Sequence, residues 1–163
     1  ELFPETQVTI GPSIENGFYY DFYREKKFSL SDLEVIEKRM HEIVDRDEII
    51  SREVWSRENA ISFFEKNNEK FKLELVHSIP IDETVTFYRQ GKFLDLCRGP
   101  HTCSTKKLGH SFKLTKLAGS YWRGDSNNQV LQRIYGTAFF NDKDLKKVKR
   151  YFIKQTINLH AIF

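Results

Sequence analysis

Gly17-Phe18-Tyr19-Tyr20-Asp21-Phe22-Tyr23-Arg24 is the stretch on which the fold turns. Aromatic side chains fit a pleated, half-buried surface, so this segment reads as a strand. Upstream, Gln7 to Ile10 is short and rich in β-branched residues, and Gly11-Pro12 punctuates it. Gly11-Pro12 and Asn16-Gly17 bound a turn between the two runs, which predicts a hairpin. The whole chain carries 14 Phe, 7 Tyr and 2 Trp, a supply that suits a sheet with large side chains on its buried face.

Working outward, Ser31 to Asp45 predicts a helix. Ser31 is placed to cap it with Glu34 three residues on, and Leu33, Ile36, Met40, Ile43 and Val44 fall on one face. Ile49 to Trp55 alternates as a strand does. Ser56 then caps a short helix through Glu65, with Ala60, Phe63 and Phe64 inward, and a further helix is expected within Asn67 to Val76. Thr84 to Arg89 and Phe93 to Cys97 read as strands joined at Gln90-Gly91. Arg98 to Lys107 reads as a loop. Ser111 to Ala118 and Ser120 to Arg123 are extended pieces around Gly119, and Val130 to Phe140 is a long strand after the Gly124 to Asn128 turn. Asp142 to about Ile162 closes the chain as a basic amphipathic helix with Leu145, Val148, Phe152 and Leu159 near one face. This order predicts an α+β fold, an antiparallel sheet with helices packed mainly on one face.

The 163 residues are enough for one domain with a core, and 39% hydrophobic with 30% charged residues places the chain among ordinary globular proteins. A net charge of +3 does not mark a general nucleic-acid binder. No apolar run approaches the roughly 18 residues of a membrane helix. Cys97 and Cys103 do not make a secreted disulfide framework, and a cytoplasmic protein with reduced thiols is expected. The chain opens at Glu1 on Leu2-Phe3-Pro4, which reads as the end of a helix whose upstream part has been removed.

The densest chemistry lies in Asp95-Leu96-Cys97-Arg98-Gly99-Pro100-His101. On a strand, Asp95 and Cys97 point to the same face. Gly99-Pro100 then turns the chain so that His101 folds back beside Cys97. Three functional readings fit: a nucleophilic Cys with a His base, half of a zinc site, or a hydrolytic pocket whose groups bind substrate and position water. A buried Cys beside a hydrogen-bonded loop His is the plain structural alternative. Cys103 or His110 would have to complete a zinc site. His41 is expected to be solvated in mid-helix, and His77 and His160 to be structural. The Tyr121-Trp122-Arg123-Gly124-Asp125 stretch offers a Trp and an Arg that can stack on and pair with a nucleotide. Lys143, Lys146, Lys147, Lys149, Arg150 and Lys154 form a basic run that can meet RNA phosphates or simply face water.

Four ordered segments resemble one family. Gly11 to Asp21 (GPSIENGFYYD), Asp95 to His101 (DLCRGPH), Tyr121 to Asp125 (YWRGD) and Leu131 to Ala138 (LQRIYGTA) are similar to the editing, or second additional, domain of bacterial threonyl-tRNA synthetases. The resemblance runs from about Glu1 to Phe140. Alanyl-tRNA synthetases share a related domain, but these motifs resemble the threonyl branch.

The resemblance implies hydrolysis of mischarged Ser-tRNA(Thr). It implies catalytic roles for Cys97, His101, Asp95 and Lys72. Tyr19 or Tyr20 matches a tyrosine lining the pocket, and Arg98 and Arg123 stand as further substrate-binding candidates. It implies no cofactor and no metal. The expected partners are the acceptor end of tRNA(Thr) and the class II catalytic domain of the parent enzyme, with no membrane. The strand that carries Phe18, Tyr19 and Tyr20 is expected to neighbour the Cys97 strand in one sheet, with the tyrosines forming part of the wall of the Cys97–His101 cleft. The family site also uses an H-x-x-x-H motif, which this chain lacks, and the class II signatures are absent too. The expected organisation is therefore an editing-like domain over residues 1–140 without its N-terminal helix, and a basic helix or linker remnant over 141–163. The alternative reading is a non-catalytic tRNA-binding remnant.

Overall fold

A computed structural model describes residues 1–15 and 17–147. The aromatic segment forms the strand it predicts, β3 (Gly17–Tyr23), and the chain before it folds back in two short pieces, β1 (Gln7–Val8) and β2 (Ser13–Ile14). Gln7 faces Tyr23 and Val8 faces Phe22 in antiparallel register, while Ser13 faces Phe18. Gly11 lies between them against the Tyr20 ring, where any Cβ would collide with it.

Next come α1 (Leu30–Asp45), β4 (Ile50–Trp55), α2 (Arg57–Lys66), α3 (Lys70–Ser78), β5 (Val85–Gln90), β6 (Phe93–Leu96), β7 (Phe112–Tyr121) and β8 (Val130–Ala138). The fold is α+β and its strand pairs are antiparallel, but the strands divide into two sheets. Five strands form one, in the order β1-β3-β8-β7 with β2 also on β3; β4-β5-β6 form the other.

Local chemistry explains where boundaries moved from their expected places. The N-cap of α1 is Ser29 rather than Ser31: it is extended (φ −105°, ψ 168°), and its backbone N–H donates to the Asp32 carboxylate at 2.8 Å. Asn67 caps α2, which ends at Lys66, one residue beyond the expected Glu65, and Asn68 takes φ 56°, a left-handed conformation that Asn tolerates well, before the helix expected in this stretch begins at Lys70. Gly119 does not interrupt β7, because it stays in register opposite Gln132. Of the C-terminal helix, residues 142–147 are helical and Leu145 is buried; the expected continuation through residue 162 lies outside the described residues.

Helix α1 packs on one face of the larger sheet, where Leu33, Phe28, Leu114 and Ile134 form a core with Phe18 and Phe22. The smaller sheet carries α2 and α3 through Ala60, Phe64, Val76, Val85 and Phe87. Helix α3 also joins the larger sheet, because Phe71 is buried with Trp122 and Leu131 beside Tyr23 and Leu75. Phe71 and Leu75, four residues apart, face one sheet and Val76 the other. Burying a side chain such as Phe71 is worth about 1.5–3 kcal/mol. Helix α3 is thus fixed where the two sheets meet, and this placement builds the site.

Candidate active site

The β5–β6 hairpin sets the position of Cys97. Tyr88 lies opposite Asp95 and Phe87 opposite Leu96. The pairing continues one residue beyond β6, since the Cys97 N–H donates to the Thr86 carbonyl at 3.1 Å and the Thr86 hydroxyl donates to the Cys97 carbonyl at 2.6 Å. Gly99 then takes φ 71° and turns the chain. Only a residue without a Cβ fits there, because a Cβ would collide with the Tyr88 hydroxyl. His101 returns over Tyr88, ring centroids 4.2 Å apart. Its Nε2 lies 3.0 Å from the Cys97 Sγ, and the Gly99 N–H donates to the same sulfur at 3.3 Å. The expected fold-back of His101 onto Cys97 is present.

Asp95 points to the junction of the two sheets. Its Oδ1 lies 2.6 Å from the Lys72 Nζ, a lysine only 3% exposed. Its Oδ2 accepts from the Tyr20 hydroxyl at 2.8 Å. Lys72 Nζ also donates to the Tyr20 oxygen at 3.3 Å, closing a triangle of three polar groups. Burial pushes the Tyr20 phenol well above its ordinary range, and the Asp95 carboxylate, followed by the Cys97 thiolate, adds to the effect. Tyr20 therefore remains a hydrogen-bond donor.

The choice between the two tyrosines is resolved by the β3 pleat. Tyr20 faces Lys72 and Asp95, whereas Tyr19 points to the opposite face, with Tyr135 at 5.7 Å and the Arg133 guanidinium 3.8 Å from its ring centre. One expectation is corrected. Tyr20 and Asp95 come from different sheets, not neighbouring strands of one sheet, and they meet because α3 draws the sheets together.

Other candidates stand apart. Arg98 is exposed and pairs with Glu83 at 3.1 Å. Arg123 lies 3.8 Å from Glu74, and it lines a groove of about 530 Å³ with His77, Asn128 and Gln129 that shares no residue with the Cys97–His101 pair. The proposed zinc ligands do not converge: Cys103 is exposed, and His110 binds Asp45 and His41, each at 2.7 Å. Among the described residues no three His, Cys, Asp or Glu side chains are arranged to hold a metal. His41, expected in solvent, instead stacks on Phe112 with centroids 4.4 Å apart. No described helix is long and apolar enough to cross a membrane.

Two residues of the site carried weak sequence signals. Tyr88 supports the His101 ring and lies opposite Asp95 in the hairpin. Glu69 precedes Lys72 by three residues, one helical turn, and burial raises its carboxyl above the usual range, with Asp95 adding to that shift and Lys72 opposing it. A search for charged pairs at helical spacing could have found Glu69.

The family model for the threonyl and alanyl tRNA synthetase second additional domain matches residues 85–135, which contain β5, β6, β7 and the Cys97–His101 loop. Among curated proteins, the threonine–tRNA ligase of Paramagnetospirillum magneticum is 66% identical over 145 residues, 89% of this chain and 23% of that protein. That of Parvibaculum lavamentivorans is 66% identical over 146 residues, 90% of this chain and 22% of that protein. That of Bartonella quintana is 58% identical over the same length and the same shares. The chain spans less than a quarter of the length of these curated relatives. Identity of 66% over nine-tenths of the chain, together with the family model on residues 85–135, shows that the chain belongs to the threonyl-tRNA synthetase family and carries its second additional domain.

Proposed function

We propose that residues 1–140 form an editing domain for Ser-tRNA(Thr), an aminoacyl-ester hydrolase site that in the family also draws on the H-x-x-x-H motif this chain lacks. The single observation that carries the reading is the Lys72–Asp95–Tyr20 triangle, whose Asp95 precedes Cys97 of the Cys97–His101 pair by two residues in the same hairpin. A serine-for-threonine error differs by one methyl group, worth about 1–3 kcal/mol in a binding pocket, so accuracy calls for a second, hydrolytic site.

The chemistry follows from the donors available. Water attacks the seryl ester carbonyl. His101 takes its proton, and Cys97 holds the imidazole in place. Negative charge develops on the carbonyl oxygen, and the Lys72 ammonium is the preformed cation that receives it. Asp95 and Tyr20 hold that ammonium at the sheet junction without solvent. The ribose oxygen leaves with a proton. The Cys97 sulfur already accepts the Gly99 N–H and meets His101, which favours a positioning role over attack by the thiolate.

A deacylation assay tests this. Ser-tRNA(Thr) is expected to be hydrolysed faster with the chain than without it, while Thr-tRNA(Thr) is spared, and His101→Ala is expected to remove about 10²–10⁴-fold of the rate. Salt-sensitive tRNA binding with no turnover would replace the hydrolytic reading with that of a tRNA-binding module. A seryl thioester trapped on Cys97 would make the thiol the nucleophile.

A further inference from the structure

Among the described residues no cation forms an ion pair with Glu69, and the substrate of an aminoacyl-ester hydrolase always brings a cation. Asp95 Oδ2 accepts from the Tyr20 hydroxyl at 2.8 Å, and Oδ1, although without a hydrogen bond, lies 2.6 Å from the Lys72 ammonium, which compensates its charge. Glu69 Oε2 is also buried with no hydrogen-bond partner. Glu69 stands at the N-cap of α3 without a capping bond from its side chain, so the helix does not use the carboxylate either. One turn later comes Lys72 on the same side of the helix. The two groups share surroundings: the charge of Glu69 acts on Tyr20, and those of Lys72 and Asp95 act on Glu69.

The strand packed against α3 adds to the pattern. On and just before β1, the Gln7 side-chain oxygen and the Thr6 hydroxyl are also buried without partners. A buried carboxylate oxygen in want of a donor suits an ammonium group, which offers three N–H donors and no acceptor. Unpaired buried oxygens each cost about 1–3 kcal/mol, a cost that native chains sustain where a ligand relieves it.

We infer that Glu69 is the specificity residue that receives the α-ammonium of the aminoacyl ester and distinguishes aminoacyl esters from other esters of tRNA or adenosine. The inference rests on the hydrolytic reading above. The raised carboxyl of Glu69 agrees with it: a carboxylate held without a counter-cation favours its proton, and an arriving ammonium reverses that preference.

The test is a binding measurement by calorimetry on the full chain, with two non-hydrolysable probes. One is adenosine carrying serine through a 3′-amide, with its ammonium free. The other is the same compound with a 3-hydroxypropionyl group, which lacks only the amine. The wild-type chain is expected to bind the amine about tenfold more tightly, and the preference to grow as pH rises and Glu69 ionises. Glu69→Gln, which keeps the shape, is expected to abolish the preference while binding the amine-free probe unchanged; a thermal melt confirms that the variant folds. Equal affinity of the wild type for both probes, or a preference that survives Glu69→Gln, overturns the assignment and leaves the hydrolytic reading intact. Failure of the wild type to bind either probe overturns both.

Discussion

Replacing Asp95 by Asn tests the centre of the site most directly. The substitution keeps the volume and keeps an oxygen to accept the Tyr20 hydroxyl, so it removes charge and little else. Lys72 then carries an ammonium that is 3% exposed and has lost the carboxylate 2.6 Å away. An exposed ion pair is worth about 0–1 kcal/mol, but leaving one member of a buried pair uncompensated costs about 3–5 kcal/mol. The burial of Lys72 decides for the larger figure. With a urea slope of about 2 kcal/mol/M, the unfolding midpoint is expected to fall by roughly 1.5–2.5 M. A double-mutant cycle isolates the cause. Lys72→Met removes the buried ammonium, so Lys72→Met with Asp95→Asn is expected to be less destabilised than the sum of the single variants, by about 1–3 kcal/mol. Urea unfolding followed by Trp fluorescence reads all four proteins. A loss below about 1 kcal/mol for Asp95→Asn, or strict additivity in the cycle, would refute the view that this pair is a buried and coupled element of the site.

Two further outcomes follow from the same geometry. Gly99→Ala places a Cβ against the Tyr88 hydroxyl at φ 71°, so it is expected to cost about 1–3 kcal/mol and to separate His101 from Cys97; unchanged His101 ring chemical shifts by NMR would show that the turn does not position the ring. Glu69 has its carboxyl raised by burial, so the folded chain holds this proton to higher pH than the unfolded chain does. The stability it contributes is complete below the unfolded value of about 4.3 and is lost as pH rises through the folded value. Glu69→Gln cannot lose that proton, so its melting temperature is expected to rise relative to wild type between acid and neutral pH; a difference independent of pH would contradict the assignment.

The sequence by itself determined the parts governed by near neighbours. The β3 strand followed from its aromatic run, the first hairpin from Gly11-Pro12, and the α2 cap from Ser56, whose hydroxyl accepts the Asn59 N–H. The meeting of Cys97 and His101 was legible for the same reason, since four residues and one glycine turn separate them. Where two nearby residues compete for one role, local pattern was not enough. Ser29 and Ser31 both qualify as caps, and the choice depended on which backbone was extended.

Only the tertiary structure decided the rest, because it depends on groups far apart in the chain. Tyr20 and Asp95 are 75 residues apart and belong to different sheets, so no spacing rule joins them. Which of Tyr19 and Tyr20 enters the site depended on the face of β3 that meets α3. The exclusion of His110 from the Cys97 group followed from its attachment to Asp45 and His41 on α1. The lack of a partner for Glu69 Oε2 could be seen only once its neighbours were in place. Hairpins and caps are fixed by short-range backbone geometry, whereas burial, pairing and charge compensation are properties of the packed chain.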